Sequence, residues 1–127
     1  MKFSLPFPPS VNHYWTTRGT RHGKRLSDKA TNYRNAVFAA VLDSNNGHIA
    51  TPASGSLHVT IHYTWPDRRK RDLDNYPKGI LDSLTHARVW VDDSQIKDLR
   101  LVCSGKFAAP GGVVVLIEPI KGSTVRI

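Results

Sequence analysis

The clearest pattern of hydrophobic and polar positions lies in the middle of the chain. Five apolar side chains alternate there with polar ones, at Leu57, Val59, Ile61, Tyr63 and Trp65. A period of two places the apolar side chains on one face of an extended segment, so the pattern predicts a strand with one buried face. Pro66 predicts the end of this strand.

Two other stretches have the spacing of amphipathic helices. Ser27 is a suitable N-cap for the first, and the sequence Asn-Asn-Gly at 45–47 predicts its end. The second helix is predicted to begin near Pro77, with Asp74 or Asn75 as its cap. Its apolar stripe consists of Ile80, Leu81 and Leu84.

Short apolar segments predict the remaining strands, at residues 2–5, 89–91, 99–102 and 113–117. Strands and helices do not alternate regularly, as they would in a parallel α/β fold. We therefore predict an α+β fold with a small mixed or mostly antiparallel sheet and two main helices. The 127 residues fit a single domain spanning 1–127.

The excess of basic residues indicates the class of binding partner. Eighteen Lys and Arg against ten Asp and Glu give a net charge of +8. A small domain this basic attracts polyanions, nucleic acid first and an anionic membrane surface second. A basic surface that simply faces solvent would give the same composition.

Cysteine content and hydropathy exclude several other classes. The single cysteine, Cys103, can form no internal disulfide and no four-cysteine zinc site. The chain has no apolar run long enough to span a membrane, and its N-terminus lacks the pattern of a signal peptide. We therefore predict a protein of the bacterial cytosol, or of a phage-infected cell, without a membrane partner.

A segment between residues 10 and 27 combines aromatic and basic residues. Asn12, Tyr14 and Trp15 come before a cluster of cations at Arg18, Arg21, His22, Lys24 and Arg25. Aromatic rings can stack on bases while cations neutralise phosphates, so the segment is a candidate DNA contact. The alternative is a flexible loop with solvated charges.

The most informative stretch joins four cations to two carboxylates. Arg68, Arg69, Lys70 and Arg71 directly precede Asp72 and Asp74. Residues i and i+2 of an extended segment point to the same side, so the two carboxylates can converge. A divalent cation would relieve their repulsion, and Mg²⁺ needs only one or two carboxylates beside water and phosphate. The alternative is a surface salt-bridge patch.

A second acidic pair, Asp92-Asp93, follows the predicted second helix. Adjacent residues usually point apart, so at most one of the two is an easy ligand for the same metal. The other would either support the ligands without touching the metal or be a cap. The pattern alone leaves the choice between them open. Lys78, in the first turn of the helix, suits a cation that binds a phosphate at which a metal-activated water reacts.

Four segments occur together in one order along the chain: LPFPPSVN at 5–12, WPDRRKRDLDN at 65–75, Lys78 with LDSL at 81–84, and VDDSQI at 91–96. In this combination the sequence resembles the RusA-like Holliday junction resolvases, small endonucleases of bacteria and their prophages. The chain departs from the family at residues 85–88, where many relatives have a glycine-containing turn.

The resemblance implies a homodimer that binds four-way DNA junctions and nicks them symmetrically with Mg²⁺ or Mn²⁺, in recombination and repair. The family's essential acids fall on Asp72, Asp74 and Asp93, and its essential lysine falls on Lys78. Asp92 is an alternative metal ligand. Asp82 matches a helix acid that would pair with Lys78 one turn earlier.

Two alternatives to this function remain open. The first is a non-catalytic basic module that binds nucleic acid. Such a module has no use for three carboxylates beside a phosphate-binding cluster, because they repel DNA without a metal. The second is a nuclease for another branched DNA.

Overall fold

The computed structural model describes residues 1–17 and 23–121 and shows an α+β fold. Its helices are α1 (Asp28–Ser44) and α2 (Pro77–His86). Its strands are β1 (Lys2–Leu5), β2 (Trp15–Thr16), β3 (Arg25–Leu26), β4 (Leu57–Trp65), β5 (Ile96–Phe107) and β6 (Gly112–Pro119).

The main sheet has the strand order β1-β6-β4-β5. β1 pairs with β6 and β6 with β4 in antiparallel fashion, whereas β4 and β5 run parallel. The predicted α+β class, with two helices and a mostly antiparallel mixed sheet, is therefore confirmed. A separate two-stranded ribbon joins β2 to β3.

The core lies between one face of this sheet and the two helices. Every apolar residue of the alternating pattern in β4 is buried, and Ile61 has no exposed surface. Val37 of α1 and Ile80 of α2 are equally inaccessible and belong to the same cluster. Truncation of such a side chain to alanine costs about 2–5 kcal/mol, so Ile61→Ala would be strongly destabilising.

The ends of the helices confirm one cap and correct another. The Oγ of Ser27 accepts a hydrogen bond from the amide of Ala30 at 3.1 Å and caps α1 as predicted. The prediction that Asp74 or Asn75 caps α2 is wrong, because residues 73–75 form a separate 3-10 turn. Tyr76 is the N-cap of α2 and makes no side-chain capping bond.

The predicted strand at 89–91 does not form. Trp90 makes only an isolated bridge to Ala53, and its buried indole donates to the Oγ1 of Thr85 at 2.6 Å. Arg88 has a φ of 65°, a left-handed conformation that glycine adopts most easily. Residues 85–88, where the sequence departs from the family that it resembles, therefore have a non-glycine residue at a left-handed position of the turn.

No helix in the described residues is both long enough and apolar enough to cross a membrane.

Candidate active site

The chain leaves β4 in a turn that Asp67 organises. Its carboxylate lies 2.8 Å from the guanidinium of Arg71 and accepts a hydrogen bond from the amide of Arg69 at 3.0 Å. The bond from Arg71, followed by that from Arg69, lowers the pKa of Asp67. The carboxylate of Asp67 therefore stabilises this turn.

Arg71 is held inside this turn. Its side chain is only 11% exposed, and its guanidinium lies 5.7 Å from the ring centre of Phe7 and 5.8 Å from that of Trp65. The bond to Asp67 raises the pKa of Arg71. The structure thus gives Arg71 a role within the turn, and its predicted contact with DNA stays a prediction.

The other three cations of the run are exposed. The guanidinium of Arg68 lies 4.8 Å from the ring centre of Phe107, at the end of β5. Arg69 lies 3.6 Å from Asp67, whereas Lys70 has no ion pair with a described residue. Arg68, Arg69 and Lys70 therefore form a basic surface beside the acids.

Asp72 and Asp74 are both exposed, and Leu73 between them packs partly against the core. Asp72 is extended, but Asp74 lies within the 3-10 turn Leu73–Asn75, so the expected extended geometry ends at Asp72. Neither carboxylate forms a hydrogen bond or ion pair with a described residue. Both are therefore open to a ligand from solution.

An aromatic cluster fixes the chain on both sides of these acids. The ring of Tyr76 lies 5.1 Å from that of Phe7 and 5.7 Å from that of Trp65. Trp65 ends β4, and Tyr76 precedes α2. The segment that carries Asp72 and Asp74 therefore runs between two anchored points.

The second acidic pair divides into two roles. Asp92 and Gln95 form a capping box around the 3-10 turn Asp93–Gln95, and the hydroxyl of Ser94 donates to the carboxylate of Asp92. This hydrogen bond lowers the pKa of Asp92. Asp93, at the first position of the turn, is exposed as Asp92 is, so the structure distinguishes the two acids by the capping role of Asp92.

Gln95 ties this second turn to the body of the protein. Its side-chain oxygen accepts hydrogen bonds from the amides of Val91 and Asp92, at 2.9 and 3.1 Å. Its side-chain nitrogen donates to the carbonyls of Ala53 and Gly55, both at 2.9 Å. Gln95 therefore fixes the turn that carries Asp93, because both the oxygen and the nitrogen of its side-chain amide form hydrogen bonds.

The predicted pair between Asp82 and Lys78 does not form. The carboxylate of Asp82 lies 2.9 Å from the Nε of Arg34 on α1 and also accepts a hydrogen bond from the hydroxyl of Tyr14. Lys78 is exposed and has no ion pair with a described residue. The partners of Asp82 lie 48 and 68 positions away, so no local sequence signal indicated them.

The loop cations are only partly described. Lys24 and Arg25 are exposed, and Arg25 lies 3.7 Å from Asp28. Arg18 and Arg21, also predicted to contact DNA, lie outside the described residues.

The donor chemistry fits a divalent cation completed by its substrate. Within residues 1–17 and 23–121, no three His, Cys, Asp or Glu side chains are grouped so as to hold a metal ion. The structure therefore does not gather Asp72, Asp74 and Asp93 into a closed cage. Mg²⁺ needs only one or two carboxylates beside water and phosphate oxygens, which the exposed acids can provide.

Comparison with known proteins identifies relatives over most of the chain. The family model described as Endodeoxyribonuclease RusA matches residues 6–118. A crossover junction endodeoxyribonuclease of Enterobacteria phage HK97 is 40% identical over 111 residues, 87% of each chain. Proteins of the same name from Shigella sonnei and Enterobacteria phage 82 are 37% and 38% identical over 100 residues, 78% of each chain.

Proposed function

The chain belongs to the RusA family of endodeoxyribonucleases, and from this premise we propose that it resolves four-way DNA junctions by paired, symmetric nicks. The observation that carries the proposal is the pair of exposed carboxylates of Asp72 and Asp74, which have no partner within residues 1–17 and 23–121 and follow exposed cations. Unpaired acids would repel DNA unless a divalent cation joined them. The protein is therefore a phosphodiester hydrolase that depends on a divalent metal.

The roles proposed for the site residues are supported by their exposure, their charge and the resemblance to the family. We propose that Asp72, Asp74 and Asp93 bind Mg²⁺, for which Mn²⁺ can substitute. The ion, when bound, supplies water activation and neutralises charge that develops on the phosphorus oxygens. Lys78 has no ion pair among the residues that the structure describes, and we propose that it binds the scissile phosphate.

The exposed cations supply the affinity for DNA. Arg68, Arg69 and Lys70 lie directly before the acids, and we propose that they neutralise phosphates on either side of the scissile bond. Lys24, Arg25, Arg18 and Arg21 extend this contact along the DNA. Binding should therefore weaken steeply with salt, because each neutralised phosphate releases counterions.

A homodimer fits the symmetry of the substrate. A four-way junction is close to two-fold symmetric and needs two cuts, and a two-fold dimer presents one site to each strand. We propose that the single domain 1–127 forms such a dimer and acts in the bacterial cytosol, encoded by the host or by a prophage. Light scattering should then give twice the 14.2 kDa of the monomer.

The decisive experiment uses a four-way junction assembled from synthetic oligonucleotides, each labelled in turn. With MgCl₂ we expect nicks at symmetric positions on two opposing strands, and EDTA should abolish them. A linear duplex of the same sequence is the control for general nuclease activity. If the protein binds the junction but nicks it with neither Mg²⁺ nor Mn²⁺, the non-catalytic binding module is the better description.

A further inference from the structure

Trp15 differs from the other two tryptophans in its exposure. Its side chain is 41% exposed, whereas Trp65 and Trp90 are 5% and 1% exposed. Trp15 lies in β2 opposite Leu26 of β3, so its backbone is fixed by strand pairing. A large, exposed aromatic ring on an ordered backbone is a feature of binding surfaces.

The ring lines a surface cavity of about 480 Å³. The cavity combines an aromatic face, a side-chain amide and an ammonium group within one wall: Val11, Asn12, Trp15, Thr16, Thr17 and Lys24. This volume lies within the usual range for small-ligand sites, which is about 300–1,000 Å³. An aromatic face stacks on a base, an amide reads the base edge, and an ammonium group neutralises the adjoining phosphate.

The segment that carries the cavity is tied to α2 through the residue next to Trp15. Tyr14, the residue before Trp15, is buried, and its hydroxyl donates to Asp82 of α2. Asp82 follows Lys78 by four positions, and such residues are neighbours on the surface of a helix. The carbonyl of Pro9 also lies 3.8 Å from the position that a Cβ of Gly79 would occupy.

The ring of Tyr14 supports that of Trp15 from the interior side. Their centroids are 5.3 Å apart and their planes are inclined by 58°. Tyr14 and Asp82 thus act as positioning residues that hold the aromatic surface against α2. Arg34 completes this arrangement, because its Nε also lies 2.9 Å from Asp82.

We propose that this cavity binds one unpaired nucleobase of the DNA substrate, stacked on Trp15 beside a phosphate that Lys24 neutralises. The inference rests on the proposed function and names a contact that phosphate binding alone does not supply. A base released from pairing near the centre of a junction is the ligand of the required chemistry. Because every base has a π-face, the stacking itself carries little sequence preference.

The test uses intrinsic tryptophan fluorescence in EDTA, so that the DNA is bound but not cut. The probes are a synthetic four-way junction and inorganic polyphosphate, which has the charge but no bases. We expect the junction to quench the emission of the wild type and polyphosphate to leave it nearly unchanged. Trp65 and Trp90 are buried and serve as internal references, so Trp15→Phe should remove the quenching.

Affinity provides an independent measure. Loss of one base–aromatic stack should weaken junction binding by Trp15→Ala about tenfold, while Trp15→Phe keeps a ring and should bind within about threefold of the wild type. Thermal melting of both variants checks that they are folded. Lys2→Ala, an exposed cation on β1 far from this segment in sequence, is the control for general loss of charge.

The outcomes separate this inference from the proposed function. Equal quenching by polyphosphate, quenching that survives in Trp15→Phe, or junction affinity unchanged in a folded Trp15→Ala would each overturn the base site. In all three cases nicking by the wild type would still support the resolvase. Quenching without nicking in Mg²⁺ or Mn²⁺ would do the reverse, leaving a base-binding protein that is not a nuclease.

Discussion

Two short turns of this protein begin alike and differ in what their first acid does. Asp72 precedes the 3-10 turn Leu73–Asn75, and Asp92 precedes the 3-10 turn Asp93–Gln95. Both aspartates have extended backbones at the N-cap position. The carboxylate of Asp92 is engaged by its own turn, whereas that of Asp72 has no hydrogen-bond partner among the described residues.

The difference lies in the residues that follow each acid. Two positions after Asp92 is Ser94, whose hydroxyl can donate a hydrogen bond. Two positions after Asp72 is Asp74, whose ionised carboxylate can only accept. In this chain the donor that follows Asp92 holds its carboxylate in the turn, whereas the acid that follows Asp72 offers no such hydrogen bond.

The largest effect should come from the turn with free acids. Asp74→Asn should lower junction cleavage by about 100- to 1,000-fold, as expected when a group that stabilises the transition state is lost. Junction binding should remain, because the exposed cations are untouched. Gel-shift and nicking assays on the same preparation measure the two quantities, and normal cleavage by this variant would remove Asp74 from the site.

Lys78 follows the first turn and should have the next largest effect. Lys78→Gln removes a charged donor to phosphate, which corresponds to a loss of about 10- to 150-fold in cleavage. Lys70→Gln is the matched control, because it also removes an exposed lysine near the acids. It should weaken junction binding and reduce the slope of log affinity against log salt by about one, while the cleavage rate of bound junction stays the same. Similar losses of cleavage in both variants would contradict a specific role for Lys78.

Two variants of the second turn should have smaller and opposite effects. Asp92→Ala should lower the melting temperature by a few degrees and leave cleavage within about threefold, because a cap is lost and no ligand is removed. Asp93→Ala should do the opposite, keeping the melting temperature and reducing cleavage. Calorimetry and nicking rates on both variants check this, and an exchange of the two results would make Asp92 the ligand.

The smallest expected effect is a dependence of stability on acid pH. Hydrogen bonds lower the pKa of Asp92 and Asp67 in the folded protein below an ordinary value of 3.8. Their stabilising contribution is therefore present above about pH 3.8 and is lost as the pH falls through the lowered values. Melting temperatures measured from pH 6 to pH 3 should fall less steeply for Asp92→Asn than for the wild type. Parallel curves would mean that Asp92 does not contribute.

The sequence predicts local features of this protein better than distant ones. The strand Leu57–Trp65, the cap Ser27 and the start of α2 near Pro77 all follow from periodicity and local chemistry. Residues 89–91 have the apolar composition of a strand, but the left-handed Arg88 turns the chain and Trp90 is buried beside Thr85. Composition alone does not distinguish an apolar triplet that forms a strand from one that is buried after a turn.

In the candidate site, too, the sequence predicts local features better than contacts between distant segments. The sequence pattern indicates Asp72, Asp74 and Lys78, and only the resemblance to the family selects Asp93 over Asp92. The structure adds that Asp92 caps its own turn, and the ligand role of Asp93 stays a prediction. The interactions of Arg71 with Phe7 and of Asp82 with Tyr14 join segments more than sixty positions apart. Only the folded chain brings such partners together, which is why a cation expected on the surface is found inside a turn.

The strand order has a consequence for synthesis on the ribosome. β1 and β4 are made early, yet both pair with β6, which spans Gly112–Pro119. Pairings between residues so far apart in sequence are slow to form and require that the late strand is present. The acidic and basic segments therefore leave the ribosome before the sheet that orients them can be completed. Translation itself should delay assembly of the site until β6 has left the exit tunnel.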